Sequence, residues 1–228
     1  MRAPDPNRPR LTAIAGALGD ALCQRLVFVG GSVAGLLLDD PAAGEVRATI
    51  DVDAIVQARL GAFHAVEEQV AQRGFARDID SDVICRWRHR DSGIVFDLMP
   101  VDADVLGFSN RWYPHAVQTA ALHDLGGGIR IRSIAAPAFV ATKLEAFATR
   151  GRADVLASHD LEDILNVVEG RPALGEELRA ADAELRATVQ ARFRALLARP
   201  DFTENLAGLV SDPDMAATVL QRLRDMAA

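Results

Sequence analysis

The chain has 228 residues, of which half are apolar and a quarter are charged, and its formal net charge is −7. This length is enough for one large or two small domains with a buried core, and two cysteines are too few for a disulfide-stapled miniprotein. The acidic balance argues against a broad, sequence-independent grip on nucleic-acid phosphates, although a local basic groove stays open. No stretch approaches the roughly 18 uncharged apolar residues of a membrane span, so we expect no membrane partner. With no secretory signal at the start and no CxxC spacing, the expected location is cytoplasmic.

Apolar periodicity in the first half of the chain predicts short helices and strands in alternation. In chain order these are a helix over 11–25, a strand over 26–29, a turn at 30–32, a helix over 33–38, a strand over 49–56, a helix over 60–73, and strands near 75–79, 83–90 and 93–99. Asp91-Ser92-Gly93 joins the last two as a hairpin turn. A Gly126-Gly127-Gly128 break precedes a short strand over 129–131.

The second half changes character, because Ala, Leu, Glu and Arg dominate and β-branched alternation largely stops. Helices are predicted over 136–150, 159–169, 174–198, 202–210 and 213–227. We therefore predict an α/β core over residues 1–132 and a helical domain over residues 133–228.

Two carboxylates mark the strand predicted at 49–56. Alternation places Asp51 and Asp53 on one face and Ile50, Val52 and Val56 on the other. Acids at i and i+2 on a strand project together and repel each other, which favours a divalent cation between them. A solvated edge face is the alternative interpretation.

Two further features accompany this pair. Gly30-Gly31-Ser32, one strand upstream, can present backbone N–H groups and a hydroxyl to a phosphate, although most such turns are only turns. Asp97 lies inside an apolar strand, where a charge is costly unless it is paired or metal-bound. Three carboxylates beside a phosphate-binding turn are typical of two-metal phosphoryl or nucleotidyl transfer, with Mg²⁺, for which Mn²⁺ can substitute, and an NTP as co-substrate. Asp102 and Asp104 form a second candidate pair for metal contacts.

The order of these motifs, from Gly30-Gly31-Ser32 through Asp51-Val52-Asp53 to Asp97, resembles the DNA polymerase β-type nucleotidyltransferase superfamily. Lys143-Leu144-Glu145-Ala146-Phe147, Arg150-Gly151-Arg152 and the segment 158–164 resemble its AbiEii/AbiGii branch, which contains toxin nucleotidyltransferases. The motifs span residues 28–168, and the loop 39–47 departs from the smallest members. Lys143 is the only lysine among 25 basic residues, and a compact ammonium suits a phosphate oxygen.

The resemblance implies an α+β fold: a polymerase β-like core with a mixed sheet flanked by helices, followed by a C-terminal helical bundle. It also implies the site residues. Gly30, Gly31 and Ser32 would bind the phosphates, and Asp51, Asp53 and Asp97 would bind metal, with Asp97 also helping to activate the acceptor. From the helical domain, Lys143 would contact the triphosphate and Asp160 would lie nearby in the site. Arg150, two turns after Lys143, could add a phosphate contact or be an exposed arginine without function.

Helix geometry favours Asp160 over Asp163 as the functional acid. The stripe of apolar residues on this helix lies about 90° from Asp160 and about 150° from Asp163 at about 100° per residue. We therefore expect Asp160 to border the core and Asp163 to point towards water.

The function implied is transfer of a nucleoside monophosphate from an NTP to a hydroxyl, with Mg²⁺ as cofactor. The branch suggests the toxin of a toxin–antitoxin or phage-defence pair, with tRNA 3′ ends as acceptor and an antitoxin protein as partner. The alternatives are transfer to a small molecule or a protein, and a catalytically silent nucleotide-binding module.

Overall fold

A computed structural model describes residues 4–149 and 154–228. Two units can be distinguished. The sheet unit comprises Pro6–Val33 and Ala48–Ala135, and the helical unit comprises Ala34–Arg47 and the chain from Ala136 onward, together with the first described residues up to Asp5. The segment Ala34–Arg47 thus groups with the helices, although the sequence-based division at residue 132 places it in the core.

A seven-stranded sheet forms the sheet unit; it is mixed, as predicted, but its strand at residues 121–126 was not predicted. Its strands are β1 Val27–Val29, β2 Asp51–Val56, β3 Phe75–Arg77, β4 Arg86–His89, β5 Val95–Pro100, β6 Ala121–Gly126 and β7 Ile129–Ser133. The spatial order is β3-β4-β5-β2-β1-β7-β6, in which β2 with β5 and β1 with β7 are parallel and the other pairs are antiparallel. The predicted hairpin turn at 91–93 is confirmed, because it connects β4 to β5.

Five helices flank this sheet: α1 Arg8–Leu18, α2 Asp20–Arg25, α3 Leu60–Gln72, α4 Ala103–Leu106 and α5 Tyr113–Gln118. The single helix predicted over 11–25 is wrong, because Gly19, with a φ of +77°, separates α1 from α2. The helix predicted after the glycine turn is a 3-10 helix over Gly31–Leu37. Ile50 was expected on a buried face, but it is 72% exposed because β2 begins only at Asp51.

The helical unit contains seven α-helices within its described residues. They are α6 Ala136–Thr149, α7 His159–Gly170, α8 Leu174–Ala180, α9 Ala183–Leu197, α10 Pro200–Thr203, α11 Leu206–Leu209 and α12 Ala216–Ala227. The helix predicted over 174–198 is two helices, because the Asp182 carboxylate accepts hydrogen bonds from the backbone N–H groups of Glu184 and Leu185 and so starts α9. In the described parts of the chain, no helix is long and apolar enough to cross a bilayer.

The segment Ala34–Arg47 is hydrogen-bonded to the C-terminal end of α7. The backbone N–H groups of Asp39 and Asp40 both donate to the Gly170 carbonyl at 3.1 Å. Arg171 donates to the Leu37 carbonyl at 2.6 Å. The loop 39–47 therefore has a packing role in the helical unit.

Candidate active site

Strand register brings the predicted carboxylates together. Asp53 on β2 lies directly beside Asp97 on the parallel neighbour β5, and Asp51 is two residues earlier on the same face of β2. Val52 and Ala54 are buried on the opposite face of β2. Their burial fixes which face of the strand carries the acids, because side chains alternate between the two faces. Asp97 is 5% exposed, whereas the other two acids are half-buried. We call these three acids the carboxylate cluster.

The glycine turn lies against this cluster. Gly30 follows β1, where Val29 pairs with Asp53, and its φ of +72° suits glycine. A Cβ atom at residue 30 would lie 2.0 Å from Asp53 Oδ2, so only glycine allows the carboxylate to come this close to the turn. Gly31 then starts the 3-10 helix, and the buried Ser32 hydroxyl lies 3.5 Å from the Val29 carbonyl.

Gly30→Ala tests this close approach. We expect it to destabilise the fold by about 1–3 kcal/mol more than Gly93→Ala, because the added Cβ also displaces Asp53. Gly93 is a matched control, since its φ is +68° but a Cβ there would meet no heavy atom within 4 Å. The comparison is made by urea denaturation, and equal losses for the two variants would contradict the close packing of Asp53 on Gly30.

Arg86 on β4 contacts the carboxylate cluster, and the sequence analysis did not predict it. It lies opposite Asp97 in the antiparallel pairing of β4 with β5. Its Nε and Nη2 donate to the two carboxylate oxygens of Asp97 at 2.9 and 2.7 Å, and Nη2 also donates to Asp51 Oδ2 at 2.9 Å. The hydrogen bond to Asp97 raises the pKa of Arg86 further above its usual range, and the charges of Asp97 and Asp51 add to this effect.

The thiol of Cys85, which is buried near the carboxylate cluster, has a raised pKa. Burial, and then the charges of Asp97 and Asp53, raise the pKa of its thiol to about 12. The thiol therefore stays protonated at neutral pH, and Cys85, like the buried Cys23, is a packing residue.

The donor chemistry of Asp51 and Asp53 fits Mg²⁺. Two carboxylates projecting from one strand face can bind the ion while substrate phosphates and water complete its shell. Asp97 differs, because both of its oxygens accept from Arg86. Among residues 4–149 and 154–228, no three Asp, Glu, His or Cys side chains form a ready-made metal cage. Asp102, of the second candidate pair, accepts from the Asp104 N–H and caps α4.

Lys143 forms a second charged group, inside the helical unit. Its Nζ lies 2.9 Å from Asp160 Oδ1 and 2.6 Å from Asp163 Oδ2. Burial disfavours the charged ammonium, but Asp163 and Asp160 together outweigh this effect, so the pKa of Lys143 lies above its ordinary value. Arg47 adds a longer contact of 3.8 Å to Asp163. We call these residues the lysine cluster.

The expected orientation of Asp163 is wrong. Asp163 is 1% exposed, and Asp160 is the more accessible of the two acids. The expectation assumed one buried stripe, whereas α7 is buried at every residue from Asp163 to Gly170. The side of α7 that carries Asp163 packs towards Lys143 on α6. Arg150, the other basic candidate, lies outside the described residues.

Comparison with known proteins supports the fold. No protein-family model matches this chain, and no curated protein matches it. The solution structure of the antibiotic-resistance factor ANT(2'')-Ia, a nucleotidyltransferase of the polymerase β-like superfamily, aligns with a TM-score of 0.51 and 16% identity over 83% of this chain and 96% of that chain. The crystal structure of JHP933 from Helicobacter pylori aligns with a TM-score of 0.49 and 13% identity over 96% of this chain and 91% of that chain. At this identity the likeness to ANT(2'')-Ia shows a shared fold.

Proposed function

We propose that this chain is a Mg²⁺-dependent nucleotidyltransferase that moves a nucleoside monophosphate from an NTP to a hydroxyl. One observation carries the proposal: Asp51 and Asp53 project from the same face of β2, and Asp53 packs against Gly30 in a turn that can receive phosphates. The fold shared with ANT(2'')-Ia supports the same reaction class.

In this reaction the residues of the sheet unit would have separate roles in binding the phosphates and the metal ion. The acceptor oxygen attacks the α-phosphorus, the bond to the β-phosphate oxygen breaks, and pyrophosphate leaves while the hydroxyl proton passes to a base. Backbone N–H groups of the turn at 30–32 would bind and orient the phosphates. Mg²⁺ held by Asp51 and Asp53 would neutralise phosphate charge and lower the pKa of the acceptor hydroxyl.

The acceptor follows from the motif resemblance to the AbiEii/AbiGii branch. On that basis we propose a toxin of a toxin–antitoxin or phage-defence pair that acts in the cytoplasm on tRNA 3′ ends and is held in check by an antitoxin protein. The same resemblance assigns Lys143 a triphosphate contact.

A small-molecule acceptor is the second candidate. ANT(2'')-Ia is an antibiotic-resistance factor, and this chain covers 96% of its length. A net charge of −7 also favours a small or cationic acceptor over a polyanion. Protein acceptors, and a silent nucleotide-binding module, remain as further outcomes of the test below.

The test is transfer of label from the four α-³²P-labelled NTPs with Mg²⁺. Total RNA, a panel of aminoglycosides and a cell protein extract are offered in separate reactions, and the matched control is Asp51→Asn/Asp53→Asn. Label in tRNA that depends on both acids would support the toxin hypothesis. Label only in an aminoglycoside would move the function to the second candidate. No acid-dependent label in any reaction, with NTP binding retained, would contradict transfer and leave the silent module.

A further inference from the structure

The guanidinium of Arg86 contacts two of the three acids of the carboxylate cluster. It grips Asp97 through two parallel hydrogen bonds and reaches Asp51 through a third. Such a bidentate pairing fixes the carboxylate in orientation as well as in charge. The side chains of Arg86 and Asp97 are only 17% and 7% exposed, so water screens this pair weakly.

The arrangement is built by the sheet itself. Arg86, Asp97 and Asp53 lie in one row across β4, β5 and β2, because the register pairs Arg86 with Asp97 and Asp97 with Asp53. Cross-strand neighbours are close enough for side chains on the same face to contact each other. The strand pairing therefore positions the Arg86 guanidinium, which lies beside the acids that would bind metal in the proposed function.

Charge counting then limits the number of metal ions. Three ionised carboxylates and one guanidinium leave two net negative charges, which a single divalent cation balances. Bringing a second divalent cation to Asp97 would place it beside the guanidinium that already binds both oxygens of that residue. Repulsion between such charges at about 4 Å amounts to several kcal/mol in partly buried surroundings.

We propose that Arg86 supplies, at Asp97, the positive charge that a second metal ion would otherwise supply, so that the protein itself holds one divalent cation, at Asp51 and Asp53. This inference rests on the proposed function and deepens it. Arg86 is a positioning residue, since it acts through the two carboxylates that it contacts. Among the contacts of Arg86, binding of the cation competes with the one from Nη2 to Asp51, while the two contacts with Asp97 persist.

Mn²⁺ is the probe, and free Mn²⁺ is counted by electron paramagnetic resonance during titration of the full chain without nucleotide. We expect the wild type to bind one ion, and Asp51→Asn/Asp53→Asn to lose it. Arg86→Gln exposes Asp97 and removes a positive charge, so we expect a second bound ion or at least about tenfold tighter binding of the first. Arg86→Lys keeps the charge and should restore a single ion.

The double variant Arg86→Gln/Asp97→Asn separates the proposal from its main rival, in which Asp97 is a metal ligand. It removes the ion pair without changing the net charge, so we expect one Mn²⁺ with an affinity within about threefold of the wild type. Loss of that ion would overturn the proposal, as would two ions in the wild type or unchanged binding in Arg86→Gln. If Arg86→Gln does not fold, the double variant still decides the question. A wild type without a Mn²⁺ ion dependent on Asp51 and Asp53 would instead contradict the metal assignment of the proposed function.

Discussion

Replacing Asp51 and Asp53 together by asparagine is expected to lower the rate of nucleotidyl transfer at least about a thousandfold. A metal ion contributes several kcal/mol of transition-state stabilisation, and each 1.4 kcal/mol is about a factor of ten. Asparagine keeps the shape of each side chain but removes the charges that hold the ion. The measurement is the single-turnover rate of label transfer at saturating NTP.

The chain provides a matched control for this experiment. Asp80 and Asp82 have the same i, i+2 spacing, but they are exposed and lie in the loop between β3 and β4. Asp80→Asn/Asp82→Asn makes the same change in net charge, and we expect it to leave the rate within about threefold of the wild type. Equal effects of the two double substitutions would show that bulk charge, rather than a site on β2, controls the rate.

Replacing Lys143 by methionine is expected to destabilise the folded chain by about 3–5 kcal/mol, because Asp163 would be left in the interior without its closest cation. The Nζ–Oδ2 distance of 2.6 Å and the 2% exposure of the Asp163 side chain make this pair the most buried ion pair among the described residues. Urea denaturation followed by circular dichroism measures the loss.

A second substitution distinguishes lost pairing from lost packing. The double variant Lys143→Met/Asp163→Asn has no unpaired buried carboxylate at residue 163. We therefore expect it to recover much of the free energy of unfolding that Lys143→Met loses. Asp160→Asn should cost less than Lys143→Met, since Asp160 is more exposed and Asp163 still balances the ammonium. Lys143→Met with wild-type stability would contradict the structural role of the lysine cluster and leave Lys143 to substrate alone.

The elements that carry the carboxylate cluster could be predicted because their signals are local. Each signal spans only a few residues: the turn at 30–32, the alternation around Asp51 and the apolar run around Asp97. Strands β1, β2 and β5 lie where these signals predict strands. Arg86 was missed because its role depends on pairing between strands. Counting back from the hairpin turn, where His89 pairs with Ile94, would have placed Arg86 opposite Asp97.

The remaining errors also have physical causes. β6 is an edge strand in which Leu125 alone is buried, so it has almost no hydrophobic alternation to detect. Asp163 was misplaced because a helical wheel with one apolar stripe cannot anticipate a helix that is enclosed on more than one side. Its cation, Lys143, comes from a different helix and is invisible to periodicity.

We propose above that Asp51, Asp53 and the turn at Gly30 form a site for a metal-bound nucleoside triphosphate. Isothermal titration of the full chain with a non-hydrolysable NTP analogue, with and without Mg²⁺, tests it without knowledge of the acceptor. We predict binding that requires Mg²⁺ and disappears in Asp51→Ala/Asp53→Ala while the variant stays folded. Binding of the same affinity in that variant, or binding indifferent to Mg²⁺, would contradict the claim.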